Sequence, residues 1–166
     1  DQAPAKHRDE VLRRMSALAA RAEPTGIVLL HENEKDIYGD IPERVLDIVE
    51  SVGSPALRLA WDPANYVQVG VTPFTDGYVA LRPYTVYVQI KDALLATGDV
   101  VPAGEGDGQV RETVRALAAD GFDGFFSMEP HLGTYNEFGA LSGAANFTRA
   151  TRAFTAILDS EGISYS

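Results

Sequence analysis

Four short apolar runs begin at Ile27, Leu57, Thr85 and Gly124, spaced 28 to 39 residues apart, and helix-patterned segments alternate with them. This alternation constrains the fold more than any other feature of the chain. Runs of five to seven residues bounded by turn residues suit strands, so Ile27–Glu32, Leu57–Trp61, Thr85–Lys91 and Gly124–Glu129 are read as such. Helices are expected over Glu10–Ala22, Pro42–Val52, Pro73–Leu81, Val110–Ala119 and about Ala144–Asp159. Proline opens the second of these, and glycine follows both the second and the last. The order is α-βα-βα-βα-βα, an α/β pattern that predicts a parallel sheet with right-handed crossovers.

Parity separates the two faces of each strand. Leu57, Leu59 and Trp61 share one face with Ile27, Leu29, His31, Val86, Val88, Ile90, Phe126 and Met128 by this rule. That face is almost wholly apolar, as burial under helices requires. The opposite face turns polar toward the C-terminal end of every strand, where Glu32, Asp62, Gln89 and Glu129 fall. An open doubly wound sheet buries both faces and produces nearly continuous apolar runs. A barrel with a site at its C-terminal mouth produces the asymmetry seen here.

Three carboxylates and one amide oxygen form a hard, oxygen-only ligand set. Mn²⁺ or Mg²⁺ suits it best, and Co²⁺, Fe²⁺ or Zn²⁺ less well. A single acid at a strand end is usually a helix cap or a solvated loop residue, but three acids and an amide in register at four strand ends point to a centre. The composition narrows the chemistry further. With 14 Lys+Arg against 24 Asp+Glu the net charge is −10, which argues against a nucleic-acid partner. Cysteine is absent, so thiolate metal sites and thiol nucleophiles are excluded, and histidine occurs only at 7, 31 and 131. No apolar run approaches the roughly 18 residues of a membrane span, and a cytoplasmic location is expected.

The runs Gly26–Asn33, Trp61–Asn65, Tyr87–Asp92, Pro102–Asp107 and Gly121–His131 together carry a resemblance. In their order and spacing the chain resembles the C-terminal half of a sugar phosphate isomerase/epimerase of the xylose isomerase-like TIM-barrel superfamily. The resemblance implies an enzyme in which Glu32, Asp62, Gln89 and Glu129 hold a divalent metal. It further implies that Glu32 and Glu129 exchange protons with a sugar, sugar phosphate or polyol through a metal-stabilised enediolate. Two positions depart from the usual pattern: Gln89 stands where many members have a metal-binding histidine, and Asn65 where many have a substrate-facing one. An amide oxygen can replace an imidazole as a neutral ligand, and dehydratase-like members carry glutamine there. A dehydratase of inosose or dehydroshikimate type is therefore the alternative enzyme, and a non-catalytic sugar-binding or half-barrel partner subunit the alternative without chemistry. A phosphodiesterase acting on abasic DNA is disfavoured by the acidic balance and the few histidines.

Asn65, Lys91, Glu105 and His131 are the candidate substrate-binding residues. Lys91 shares a strand face with Gln89 and suits an anionic group or an enediolate; Glu105, or Asp107, lies in the Gly104–Gly108 loop, read as a flexible active-site loop. His31 is expected to face outward, Glu34 is a reserve first ligand, and Arg58 is expected to pair with a carboxylate on the inner face. Trp61, Tyr66, Phe74 and Tyr78 are expected in the core ahead of any sugar-stacking role.

A complete eight-unit barrel takes about 250 residues, whereas this chain has 166. Residues 1–166 are accordingly expected to form one TIM-barrel domain lacking its first four βα units. Four strands leave two open edges and an uncovered inner face, which predicts a homo-oligomer or a complementary N-terminal half-barrel.

Overall fold

Prolines and glycines set most of the element boundaries. The computed structural model describes residues 4–132 and 143–166. Helix α1 spans Arg8–Ala22 and leads to strand β1, Leu29–Glu32. Helix α2, Pro42–Val52, starts on its proline and stops at Gly53, whose φ of 63° is a left-handed conformation that favours glycine. Strand β2, Leu57–Trp61, precedes a short helix α3, Pro63–Gln68. A wide π-type turn over Phe74–Tyr78 runs into α4, Val79–Leu81, ahead of β3, Thr85–Ile90. Two-residue strands β4, Asp92–Ala93, and β5, Val100–Val101, form a small antiparallel hairpin. Helix α5, Val110–Ala119, strand β6, Phe125–Met128, and helix α6, Ala144–Glu161, complete the chain.

Strands β1, β2, β3 and β6 form one parallel sheet in that order, as the alternation predicts. One face is core. Leu57, Leu59, Trp61, Val88 and Ile90 are buried there against Val45, Ile48 and Val49 of α2, Val114 and Leu117 of α5, and Phe154 and Ile157 of α6. Side chains of this size contribute about 1.5–3 kcal/mol each on burial. Among the described residues no helix covers the other face: Phe125 is 75% exposed and Leu30 42%. A sheet buried on one face only is the wall of a barrel and not the middle layer of a doubly wound fold.

Register carries one irregularity that matters for the site. Leu59 pairs with Thr85 and Ala60 with Tyr87, so Val86 is an extra residue in β3. This bulge explains why Val86 is 40% exposed although parity assigns it to the covered face. From Tyr87 onward the expected parity holds, and Gln89 and Lys91 stay in phase with Asp62.

Two elements escape the sequence reading. Helix α3 forms because the Asp62 side chain accepts the Asn65 N–H at 3.0 Å while Pro63 occupies the first helical position. The β4–β5 hairpin is too short to leave any periodicity. Among the described residues, no helix is long and apolar enough to cross a membrane.

Candidate active site

The C-terminal ends of the four sheet strands converge on three carboxylates. Oxygens of Glu32, Asp62 and Glu129 lie within 4.8 Å of one another. Glu32 ends β1 and Glu129 follows β6, and these are the two edges of the sheet. The two glutamates therefore reach toward each other from opposite sides, with Asp62 between them.

Each acid is held by neighbours, of which the sequence singles out Asn65 but not Asn33. Asn33 is buried, and its side chain bridges β1 to β2: Nδ2 donates to the Asp62 carbonyl at 2.8 Å and Oδ1 accepts the Asp62 N–H at 3.0 Å. Asn65 Nδ2 donates to Glu32 Oε1 at 3.2 Å and to the Asn33 carbonyl at 2.8 Å. Asn65, expected as a substrate contact, lines the adjoining cleft and gives amide hydrogens to the Glu32 carboxylate and the Asn33 carbonyl. The Glu129 N–H donates to the Ile90 carbonyl at 3.2 Å, which extends the β3–β6 pairing to this residue. Asp62 does two things at once. Its Oδ1 caps α3, and its Oδ2 lies in the cluster with no hydrogen bond from the described residues.

Lys91 enters the same space. Its Nζ lies 2.8 Å from Glu129 Oε2, a hydrogen bond, and 3.0 Å from Asp62 Oδ2 outside hydrogen-bonding geometry. The lysine is 4% exposed and Asp62 0%. Burial pushes the Asp62 carboxyl well above the usual range, against the pull of Lys91. Burial and the negative charge of Glu129 raise Glu32. Burial also acts to raise Glu129, but the hydrogen bond and charge of Lys91 outweigh it and hold the group below its usual value.

The remaining candidates divide by position. Gln89 faces the same side, half-buried and level with Ser127 of β6. His131 Nε2 sits 3.3 Å from Glu129 Oε1. It lines a cleft of about 550 Å³ with Lys91, Asn65, Glu34, Lys35 and Gln68. Glu34 lies in that cleft and outside the carboxylate cluster. Glu105 is exposed and pairs with Arg149 of α6 at 3.3 Å. The Gly104–Gly108 loop is not free to move: the N–H groups of Gly104, Gly106 and Gly108 all donate to the buried Asp92 carboxylate. Its glycines are needed because a Cβ at Gly106 or Gly108 would lie 2.5 or 2.6 Å from Asp92 Oδ1. The loop cradles an anion, but that anion is the protein's own.

Arg58 departs from expectation. Among the described residues it donates to the Ser54 and Leu57 carbonyls and to no carboxylate, its guanidinium being taken up by backbone acceptors at the start of β2. His31 lies on the covered face, where burial lowers its pKa to about 4. Trp61, Tyr66, Tyr78 and Phe74 form an aromatic cluster in the core, with ring centroids 4.8 to 6.0 Å apart.

The family model of the xylose isomerase-like TIM barrel matches residues 1–151. The chain belongs to that family. It is 40% identical over 99 residues to the 2-epi-5-epi-valiolone 7-phosphate 2-epimerase of Actinoplanes sp., an alignment covering 58% of this chain and 34% of the epimerase. Among solved structures it resembles a D-tagatose 3-epimerase-like protein, with a TM-score of 0.75 at 19% identity over 93% of this chain and 55% of that one. A second is a xylose isomerase-like TIM barrel protein from Mycobacterium smegmatis in complex with magnesium, with a TM-score of 0.63 at 24% identity over 95% and 53%. The chain thus spans about a third of the curated epimerase and about half of each solved barrel. Its four parallel βα units form part of a TIM barrel.

Proposed function

We propose that the chain contributes the proton-transfer half of a divalent-metal-dependent epimerase or isomerase acting on a sugar, sugar phosphate or related polyol. The observation that carries this reading is the convergence of Glu32, Asp62 and Glu129 within 4.8 Å at the strand ends. The donor set fits a hard cation. It offers oxygen donors only, and one of them, Asp62 Oδ2, is buried with no hydrogen bond from the described residues. Glu32, Asp62 and Glu129 would hold the ion, with the Gln89 amide oxygen as the neutral fourth ligand, and Mn²⁺ or Mg²⁺ suits these donors best. When bound, the metal supplies charge stabilisation for a carbonyl and its neighbouring hydroxyl as the adjacent carbon loses its proton.

The protein's own residues supply the rest. One glutamate removes the proton from the carbon beside the carbonyl, and the other delivers a proton from the opposite side, which inverts that centre. Approach from the two edges of the sheet is what such a two-sided exchange requires. Asn65 fixes the Glu32 carboxylate, and Asn33 fixes the backbone of Asp62. His131 and Lys91 line the cleft through which a polyhydroxylated substrate would enter.

Four further βα units complete this barrel, supplied by the N-terminal half of a longer chain or by a second copy. The exposed inner face, with Phe125, Leu30 and the open edges of β1 and β6, supports that completion. The test is solvent-deuterium incorporation at the carbon next to the carbonyl, followed by NMR across a panel of ketoses, phosphorylated ketoses and cyclic keto-polyols with Mn²⁺ supplied. Exchange with inversion is expected, falling by at least about 10²-fold in Glu129→Gln. Loss of water from the substrate would instead indicate the dehydratase reading that Gln89 favours. Undiminished exchange in the variant would remove Glu129 from the mechanism.

A further inference from the structure

Lys91 and a divalent cation would contend for the same oxygens. Asp62 Oδ1 is committed to capping α3, so Oδ2 is the atom that remains for a metal, and Lys91 Nζ stands 3.0 Å from it. Glu129 repeats the pattern: Oε1 faces His131 at 3.3 Å, while Oε2 receives the lysine at 2.8 Å. Three carboxylates and one ammonium leave the centre with a net negative formal charge.

We infer that Lys91 is a displaceable internal counter-cation, which holds the carboxylate centre together without metal and must withdraw from Asp62 and Glu129 for a divalent cation to bind. The inference rests on the metal-centre reading above. An ammonium about 3 Å from the ligand oxygens repels an incoming dication strongly in a buried site. Without either cation, three acids within 4.8 Å repel one another, and burial leaves little solvent to screen them. Lys91 therefore sets a threshold for metal entry and protects the centre below it. Its four-carbon stem can swing the ammonium into the adjoining cleft, which it already lines.

Mn²⁺ titration by calorimetry and thermal melting in chelator, on wild type and Lys91→Met, tests this without any substrate. The Met side chain keeps the stem's bulk and removes its charge. The variant is expected to bind Mn²⁺ at least about tenfold more tightly, to melt lower than wild type in chelator, and to gain more from added Mn²⁺. Lys91→Gln, titrated in parallel, gives the same affinity test should the Met variant fail to fold without metal. Binding that appears only in the variants also supports the inference. Wild-type binding with affinity unchanged within twofold, or weaker, in the variants overturns the inference and leaves the metal centre standing. No Mn²⁺ binding in any of the proteins overturns the metal centre and the inference with it.

Discussion

At the scale of single residues, buried acids do most of the organising, and each is answered by a different partner. Asp62 serves a helix cap and the carboxylate centre with its two oxygens. Asp92 gathers backbone N–H groups at 2.8 to 3.2 Å from the Gly104–Gly108 loop. Replacing a charged acceptor that serves several buried donors leaves some of them unpaired, at a cost of about 1–3 kcal/mol. Asp92→Asn is accordingly expected to lose that much stability in urea denaturation; a loss below about 0.5 kcal/mol would show that the loop does not depend on the clamp. Parity places Glu32, Asp62 and Glu129 on the face where the structure brings them together, because side chains alternate along a strand. It placed Lys91 on the same face but left its partner open, since a four-carbon stem reaches several positions. Arg58 was misjudged for a similar reason. Its long side chain found backbone carbonyls, which no pattern of charged residues records.

Among elements, legibility followed the stop signals. Helices α2 and α5 and strand β2 fall where proline, glycine and apolar spacing place them. Helix α3 is driven by one cap and one proline, and β4–β5 by a two-residue pairing, so periodicity passes over both. The bulge at Val86 is equally silent in sequence, yet it sets the face on which Gln89 and Lys91 lie. Packing between elements depends on longer connections. Helices α1 and α2 are joined by Arg8, which donates to both Asp47 oxygens at 2.6 and 2.8 Å, and the Tyr38 hydroxyl, from the loop ahead of α2, donates to the same carboxylate at 2.7 Å. The guanidinium hydrogen bonds hold the Asp47 carboxyl down to about 2. A carboxyl depressed in the fold stabilises above its unfolded value of about 3.9, and that contribution disappears as pH falls through about 2. Asp47→Asn should therefore melt lower than wild type at pH 7, with the gap closing toward pH 2. A gap that stays constant over this range would place the contribution elsewhere.

For the molecule as a whole, helices among the described residues cover one side of the sheet and leave Leu30 and Phe125 exposed on the other. The sequence foresaw this through its count of strands: four units with one polar-ended face cannot enclose their own site. Phe125 stands 75% exposed on the edge strand β6, with its ring centroid 6.5 Å from that of Tyr87, on the surface that completion would bury. Sedimentation should show the chain in an associated form, and Phe125→Glu should shift it to the single-chain species. A wild type that sediments as one chain at all concentrations would refute self-association.

Everything functional here depends on whether the three converging acids bind a metal. Equilibrium dialysis against Mn²⁺ with wild type and Asp62→Asn, the metal counted per chain, tests that most directly. One Mn²⁺ per chain in wild type and none in the variant is the predicted result, since the amide removes the charge of the central ligand. Equal occupancy in both proteins, or no metal in wild type, would contradict the account.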